Sequence, residues 1–176
     1  MKIELLKSQQ NIILEPQEDT QYVIIPSGEA SIDLILNKQG ISAELFALFA
    51  LKGSENVFLS TRSVHKVPHT TCTINVKGAL FDSSVSNYIG KIIIEKPAQQ
   101  TTSYLEDNIL SIGNKTRNAS QPILEIEADD VKASHGATVA QFSQEELFYF
   151  QTRGIGKEKA AQFLAAGFLK DVIYNV

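Results

Sequence analysis

The chain carries a single cysteine, Cys72, among 176 residues. One thiol cannot close an internal disulfide, so the fold rests on its core, and a reducing, cytoplasmic setting is expected. Long apolar runs are missing too. No stretch approaches the roughly 20 apolar residues of a spanning helix. The opening Met1-Lys2-Ile3-Glu4-Leu5-Leu6-Lys7 lacks the apolar segment of a secretory signal, so no membrane partner is expected. Nor is positive charge in excess: 16 Lys and Arg stand against 20 Asp and Glu, a formal net charge of −4. A protein built to grip nucleic acid would show a basic footprint instead.

Common enzyme signatures are equally absent. Gly154-Ile155-Gly156-Lys157 is too short for a phosphate-binding loop and lacks the strand that should precede it. There is no G-x-S-x-G elbow and no cysteine pair. Asp129-Asp130 and Glu145-Glu146 are sequence neighbours; in a strand such neighbours point to opposite faces and make no dyad. Three histidines occur, His65, His69 and His135. His65 and His69 flank Pro68, which favours extended chain over helix. Extended, they lie about 13 Å apart, too far to share an ion. A turn at Lys66-Val67-Pro68 would have to fold them together before a cupin-like metal-binding enzyme became an alternative. Cys72, in Thr71-Cys72-Thr73, reads as a small buried hydrophobe.

What the chain does contain is strand pattern. Ile12-Ile13-Leu14, Tyr22-Val23-Ile24-Ile25, Ile32-Asp33-Leu34-Ile35-Leu36, Val57-Phe58-Leu59, Thr73-Ile74-Asn75-Val76, Ile92-Ile93-Ile94 and Ile123-Leu124-Glu125-Ile126 recur along residues 11–140. Several alternate apolar with polar residues, the period of a half-buried strand. Pro26-Ser27-Gly28, Asn37-Lys38-Gln39-Gly40, Lys52-Gly53-Ser54 and Ile112-Gly113-Asn114 supply the turns between them. Residues 43–51 read as helix or strand. With 43% hydrophobic residues a continuous core is available. Strands about every ten residues fit a sandwich, a barrel or a solenoid, and no fixed-period repeat is visible to choose among them.

After Phe142 the pattern changes. Ser143-Gln144-Glu145-Glu146 forms a capping box, opening a helix through Leu147-Phe148-Tyr149-Phe150-Gln151 that stops at Gly154. A second helix is expected over 157–173, with Ala160, Phe163, Leu164, Gly167, Phe168 and Val172 on its apolar stripe. Residues 1–142 thus form a β core and 143–176 a helical segment of the same domain. Arg153-Gly154-Ile155-Gly156-Lys157-Glu158-Lys159-Ala160 resembles the hairpin of helix-hairpin-helix nucleic-acid-binding modules. The acidic balance and the lack of a second hairpin count against that alternative.

The segment from Pro122 to Thr138, read as a strand leading into a turn at His135-Gly136-Ala137-Thr138 and containing Ala133-Ser134 before it, strongly resembles the signature of the SufB/SufD family. Leu147-Phe148-Tyr149-Phe150-Gln151-Thr152-Arg153-Gly154-Ile155 follows at the matching distance, then Ala160 and Gly167-Phe168. The resemblance covers residues 57–174 well and the first fifty only in character. It implies a right-handed parallel β-helix followed by a short C-terminal helical pair, and a non-enzymatic scaffold for iron–sulfur cluster assembly. It further implies pairing with a SufB-like paralogue or with itself as a dimer. A SufC-type ATPase would dock on the helical end through Glu146, Leu147, Phe148, Tyr149, Phe150, Arg153 and Gly154. The resemblance implies no tightly bound cofactor but a transient iron–sulfur cluster at a subunit interface, with His135 as its expected contact. The family's cysteine two residues before this histidine is Ala133 here, so the chain offers no thiolate there. The His-Gly-Ala-Thr form makes the chain SufD-like.

Overall fold

The structure, a computed structural model, describes residues 1–8, 10–142 and 144–173. Strands β1 (Lys2–Leu6), β3 (Thr20–Ile24), β5 (Ser42–Leu51), β7 (Thr71–Leu80), β9 (Thr101–Ser111) and β11 (Val131–Gln141) stack in that order as one sheet. Strands β2 (Ile12–Leu14), β4 (Gly28–Leu36), β6 (Asn56–His65), β8 (Val85–Ile94) and β10 (Arg117–Ile126) stack as a second. Every neighbouring pair is parallel. The chain alternates between the sheets, climbing as a parallel β-solenoid of about four turns, followed by helices α1 (Gln144–Gln151) and α2 (Lys157–Ile173).

The alternation legible in the sequence is what closes each coil. In β4 every second residue from Ala30 to Leu36 is buried, and in β7 Cys72, Ile74 and Val76 are. These inward rows stack coil on coil: Leu45 lies beside Ile74, Ile74 beside Leu105, and Leu105 beside His135. Residues 43–51, ambiguous as sequence, resolve as strand because Ala43, Leu45, Ala47, Phe49 and Leu51 all enter this core.

The repeat is real but unequal in length. Side-chain hydrogen bonds between stacked positions span 20 residues at Asn11–Ser31, 29 at Arg62–Asp33, 31 at Thr70–Thr101 and 32 at Ser86–Asn118. That drift hides the period from sequence inspection. Corners use left-handed backbone: Gly40 (φ 78°), His69 (φ 58°) and Gln100 (φ 56°) precede three successive strands of one sheet.

Two expectations are corrected here. His135-Gly136-Ala137-Thr138 is not a turn; it lies in mid-strand in β11. The stripe of α2 is also rotated: Ala160, Ala161 and Ala165 are buried and Leu164, Phe168 and Leu169 partly so, while Phe163 and Gly167 are exposed. Small alanines let the helix approach the outer face of the odd-numbered sheet, where Ala165 joins Ala79 and Leu110. Ser143 of the expected capping box and the side chain of Val172 lie outside the described residues. No described helix is long and apolar enough to cross a membrane.

Candidate functional site

The C-terminal end of the solenoid is open. β11 and β10 are the edge strands of their sheets, so one side of each carries backbone groups without a ladder partner. Register fixes which side chains face inward there. From β11 these are Val131, Ala133, His135, Ala137 and Val139, opposite the buried residues Thr101, Ser103, Leu105, Asp107 and Ile109. From β10 they are Ser120, Pro122, Leu124 and Ile126, opposite buried positions of β8. Among the described residues no coil lies above these core positions: Val139 is 55% exposed, Ile126 42% and Leu124 36%. His135 is therefore an exposed imidazole set into an apolar row.

Beneath this end the interior turns polar. His65 is fully buried; its Nδ1 lies 2.7 Å from Thr70 Oγ1 and its Nε2 3.2 Å from Ser103 Oγ, across the solenoid. Burial holds its pKa down to about 4, so it is a neutral core residue with both nitrogens partnered. Tyr88 Oη and Thr61 Oγ1 are 2.6 Å apart. Asp107 is 1% exposed, and burial pushes its carboxyl up to about 6, opposed by the nearby Ser120 hydroxyl. Apart from one another, Asp107 Oδ1 and Ser120 Oγ find no hydrogen-bond partner. Sequence inspection missed Asp107. Its only local signal is polarity at an inward position of an otherwise apolar alternation, visible once the register is known.

The remaining candidates separate. His69 is an exposed corner residue whose amide donates to Gln99 O at 3.0 Å, so the turn at 66–68 does not pair it with His65 on a metal. Among the described residues, no three His, Cys, Asp or Glu gather to hold an ion. That removes the support for a cupin-like centre from His65, His69 and His135. Cys72 is fully buried, and burial pushes its thiol up to about 12; it remains a protonated hydrophobe rather than a ligand.

At the helical end, Leu147 turns inward at 9% exposure while Phe148 and Tyr149 are 65% and 54% exposed. Four consecutive bulky residues cannot share one helix face, so part of the run must stand outward. Arg153 stacks on Tyr149 with its guanidinium carbon 3.9 Å from the ring centroid, and the Tyr149 and Phe150 rings meet edge to face. A concavity lined by Glu145, Phe148, Tyr149, Gln151 and Thr152 lies alongside. Gly154 (φ 75°) supplies the left-handed residue that ends this segment, and Glu146 is exposed.

A parallel β-solenoid with an imidazole at its open end and an aromatic helical appendage defines a β-helix protein. The family described as "SUF system FeS cluster assembly, SufBD core domain" matches residues 29–168, and the chain belongs to it. Among curated relatives, an iron–sulfur cluster assembly SufBD family protein of Mycobacterium leprae (strain TN) is 33% identical over 147 residues, covering 78% of this chain and 37% of the relative. The iron–sulfur cluster assembly protein SufD of Bacillus subtilis (strain 168) is 34% identical over 124 residues, covering 69% and 28%. A SufBD family protein of Synechocystis sp. is 26% identical over 130 residues, covering 74% and 27%. The chain thus spans about a third of the length of these relatives.

Proposed function

We propose that this chain is a scaffold subunit in iron–sulfur cluster assembly, without bond-making chemistry of its own. In this reading it pairs through the open C-terminal end, with a SufB-like paralogue or with itself, and docks a SufC-type ATPase on α1 and the α1–α2 connection. The observation that carries the proposal is the terminal inward row, apolar but for His135 and Ser120 and, among the described residues, left without a coil above it. Stacking a second such end buries Leu124, Ile126 and Val139 and supplies partners for the edge backbone. The cluster is transient cargo at that junction. This chain offers the imidazole of His135, whereas Ala133 has no donor atom and Cys72 is sealed away; thiolates would come from the partner. The exposed Phe148, Tyr149 and Arg153 have the aromatic and guanidinium character of interface anchors. A lone cysteine with no disulfide partner in the sequence supports a reducing, cytoplasmic setting.

The test is an anaerobic pull-down of the full chain with a SufC-type ATPase and a SufB-like paralogue, scored for complex and for cluster absorbance. Phe148→Asp and Arg153→Glu are expected to lower ATPase capture at least tenfold while leaving circular dichroism unchanged. Normal capture by both folded variants removes the docking assignment. No cluster absorbance in any combination removes the scaffold assignment.

A further inference from the structure

Asp107 lies two residues beyond Leu105 on the same inward face of β9, and Leu105 is the register partner of His135. Adjacent strands are about 4.8 Å apart and two residues advance roughly 6.6 Å, so the Asp107 and His135 backbones are separated by about 8 Å on one face. Side chains at that spacing can converge on one ion. Ala137, the register partner of Asp107 in β11, carries only a methyl group, so the cover over the buried carboxyl at that position is thin. The hydroxyl that acts on the carboxyl belongs to Ser120 of the edge strand β10, so the carboxyl is turned toward the terminal coil.

Asp107 Oδ1 and Ser120 Oγ act on one another but find no other hydrogen-bond partner, and no basic residue other than His135 faces inward from the last coil. A buried carboxylate oxygen left unpaired is costly, and such groups are completed by an ion or a proton. We propose that Asp107 and His135 form a half-site for a divalent iron ion, with Ser120 Oγ as a weaker donor and the other positions filled by water or a paired chain. The inference rests on the scaffold reading and names the form in which metal reaches it: ferrous iron, captured by oxygen and imidazole donors before thiolates are engaged. Carboxylate and imidazole suit that ion. No three acidic, histidine or cysteine side chains gather among the described residues, as a half-site requires.

The experiment titrates the full chain anaerobically with ferrous iron, and with Co²⁺ as a coloured probe. Asp107→Asn and His135→Gln are each expected to weaken both ions at least tenfold and Ser120→Ala about threefold, with His69→Gln unchanged. No binding to the wild type, or Asp107→Asn within twofold of it, overturns the half-site. Where Asp107→Asn fails to fold, the exposed His135→Gln decides, and unchanged affinity again overturns it. ATPase capture and cluster absorbance are read on the same samples. Intact complexes and clusters with unaltered iron affinity sink the half-site alone. Asp107-dependent iron binding with no complex and no cluster sinks the scaffold reading alone.

Discussion

The two ends of the described solenoid are built from the same kind of strand and finish differently. In the first coil, Lys2, Glu4 and Leu6 occupy inward register positions, opposite Thr20, Tyr22 and Ile24, and Lys2 Nζ and Glu4 Oε1 pair at 2.7 Å. In the last coil the equivalent positions hold Val131, Ala133, His135, Ala137 and Val139. Charge set at an edge position resists the stacking of another apolar surface, a device that keeps strands from unwanted pairing. An apolar row with one imidazole invites it. The interior differs in the same sense. Between β2 and β5 the core is mostly apolar, with Ile12, Tyr22, Ile24, Ile32, Leu34, Ala43, Leu45 and Phe49 buried and Thr20 its polar inward residue. From β6 onward it admits His65, Ser103, Tyr88 and Asp107. Polarity and the proposed pairing surface lie toward the same end, which is why the candidate site is placed there.

The largest expected effect breaks that asymmetry directly. Leu124→Glu puts a charge into the terminal row at a site already 36% exposed, so the fold tolerates it while pairing does not. A loss of at least 100-fold in pairing affinity is expected, about 3 kcal/mol, measured by sedimentation equilibrium with whichever partner binds. Glu4→Lys, which breaks the ion pair at the other end, should leave pairing within a factor of two. Equal losses from both variants would show that the ends are equivalent.

His65 and Asp107 sharpen the comparison inside the core, because their burial acts with opposite sign over one pH range. The folded pKa of His65, about 4, lies below its ordinary 6.5. Its contribution is present above 6.5 and is lost as pH falls toward 4, when the unfolded chain takes up the proton first. The full effect is about 3 kcal/mol. His65→Gln should therefore flatten the acid limb of stability between pH 6.5 and 4 in urea melts. The folded pKa of Asp107, about 6, lies above its ordinary 3.8. Its protonated form favours the fold below 3.8, and that contribution is gone above 6. Asp107→Asn should consequently raise stability at pH 7.5 by about 2 kcal/mol, discounted for water entering the open end, and change little at pH 4. A variant destabilised at both pH values would mean that the carboxyl is fully satisfied in the native chain.

Much of this was legible in sequence, for identifiable reasons. Ile32 to Leu36 and Ile92 to Ile94 announce strands because inward and outward residues alternate there. β9, Thr101–Ser111, escaped because its inward row is Thr101, Ser103, Leu105, Asp107 and Ile109, so three of five buried positions are polar. Asp107 was invisible for the same reason: local pattern reports polarity, not whether a coil lies above or below it. His135 was found through the family motif and misplaced in a turn, because Gly136 suggests one. Register beside Glu106 shows instead that Gly136 simply continues the outward row of β11. The helical stripe failed at Phe163, where size suggested burial but close approach to the sheet required alanine.

The smallest expected effect tests whether the two halves also differ in their corners. The early corner residue at Gly40 is glycine, but the corners that follow it before β7 and β9 place His69 and Gln100 in left-handed backbone. A side chain there costs up to about 1 kcal/mol relative to glycine, although glycine also loosens the unfolded chain. His69→Gly should therefore be neutral or stabilising by a few tenths of a kcal/mol, read as a thermal midpoint shift of a degree or two. Iron affinity and pairing should not move, since His69 stands away from the terminal row. A loss of 2 kcal/mol or more would mean that the imidazole holds a contact essential to the coil, and that His69 was wrongly set aside as a corner residue.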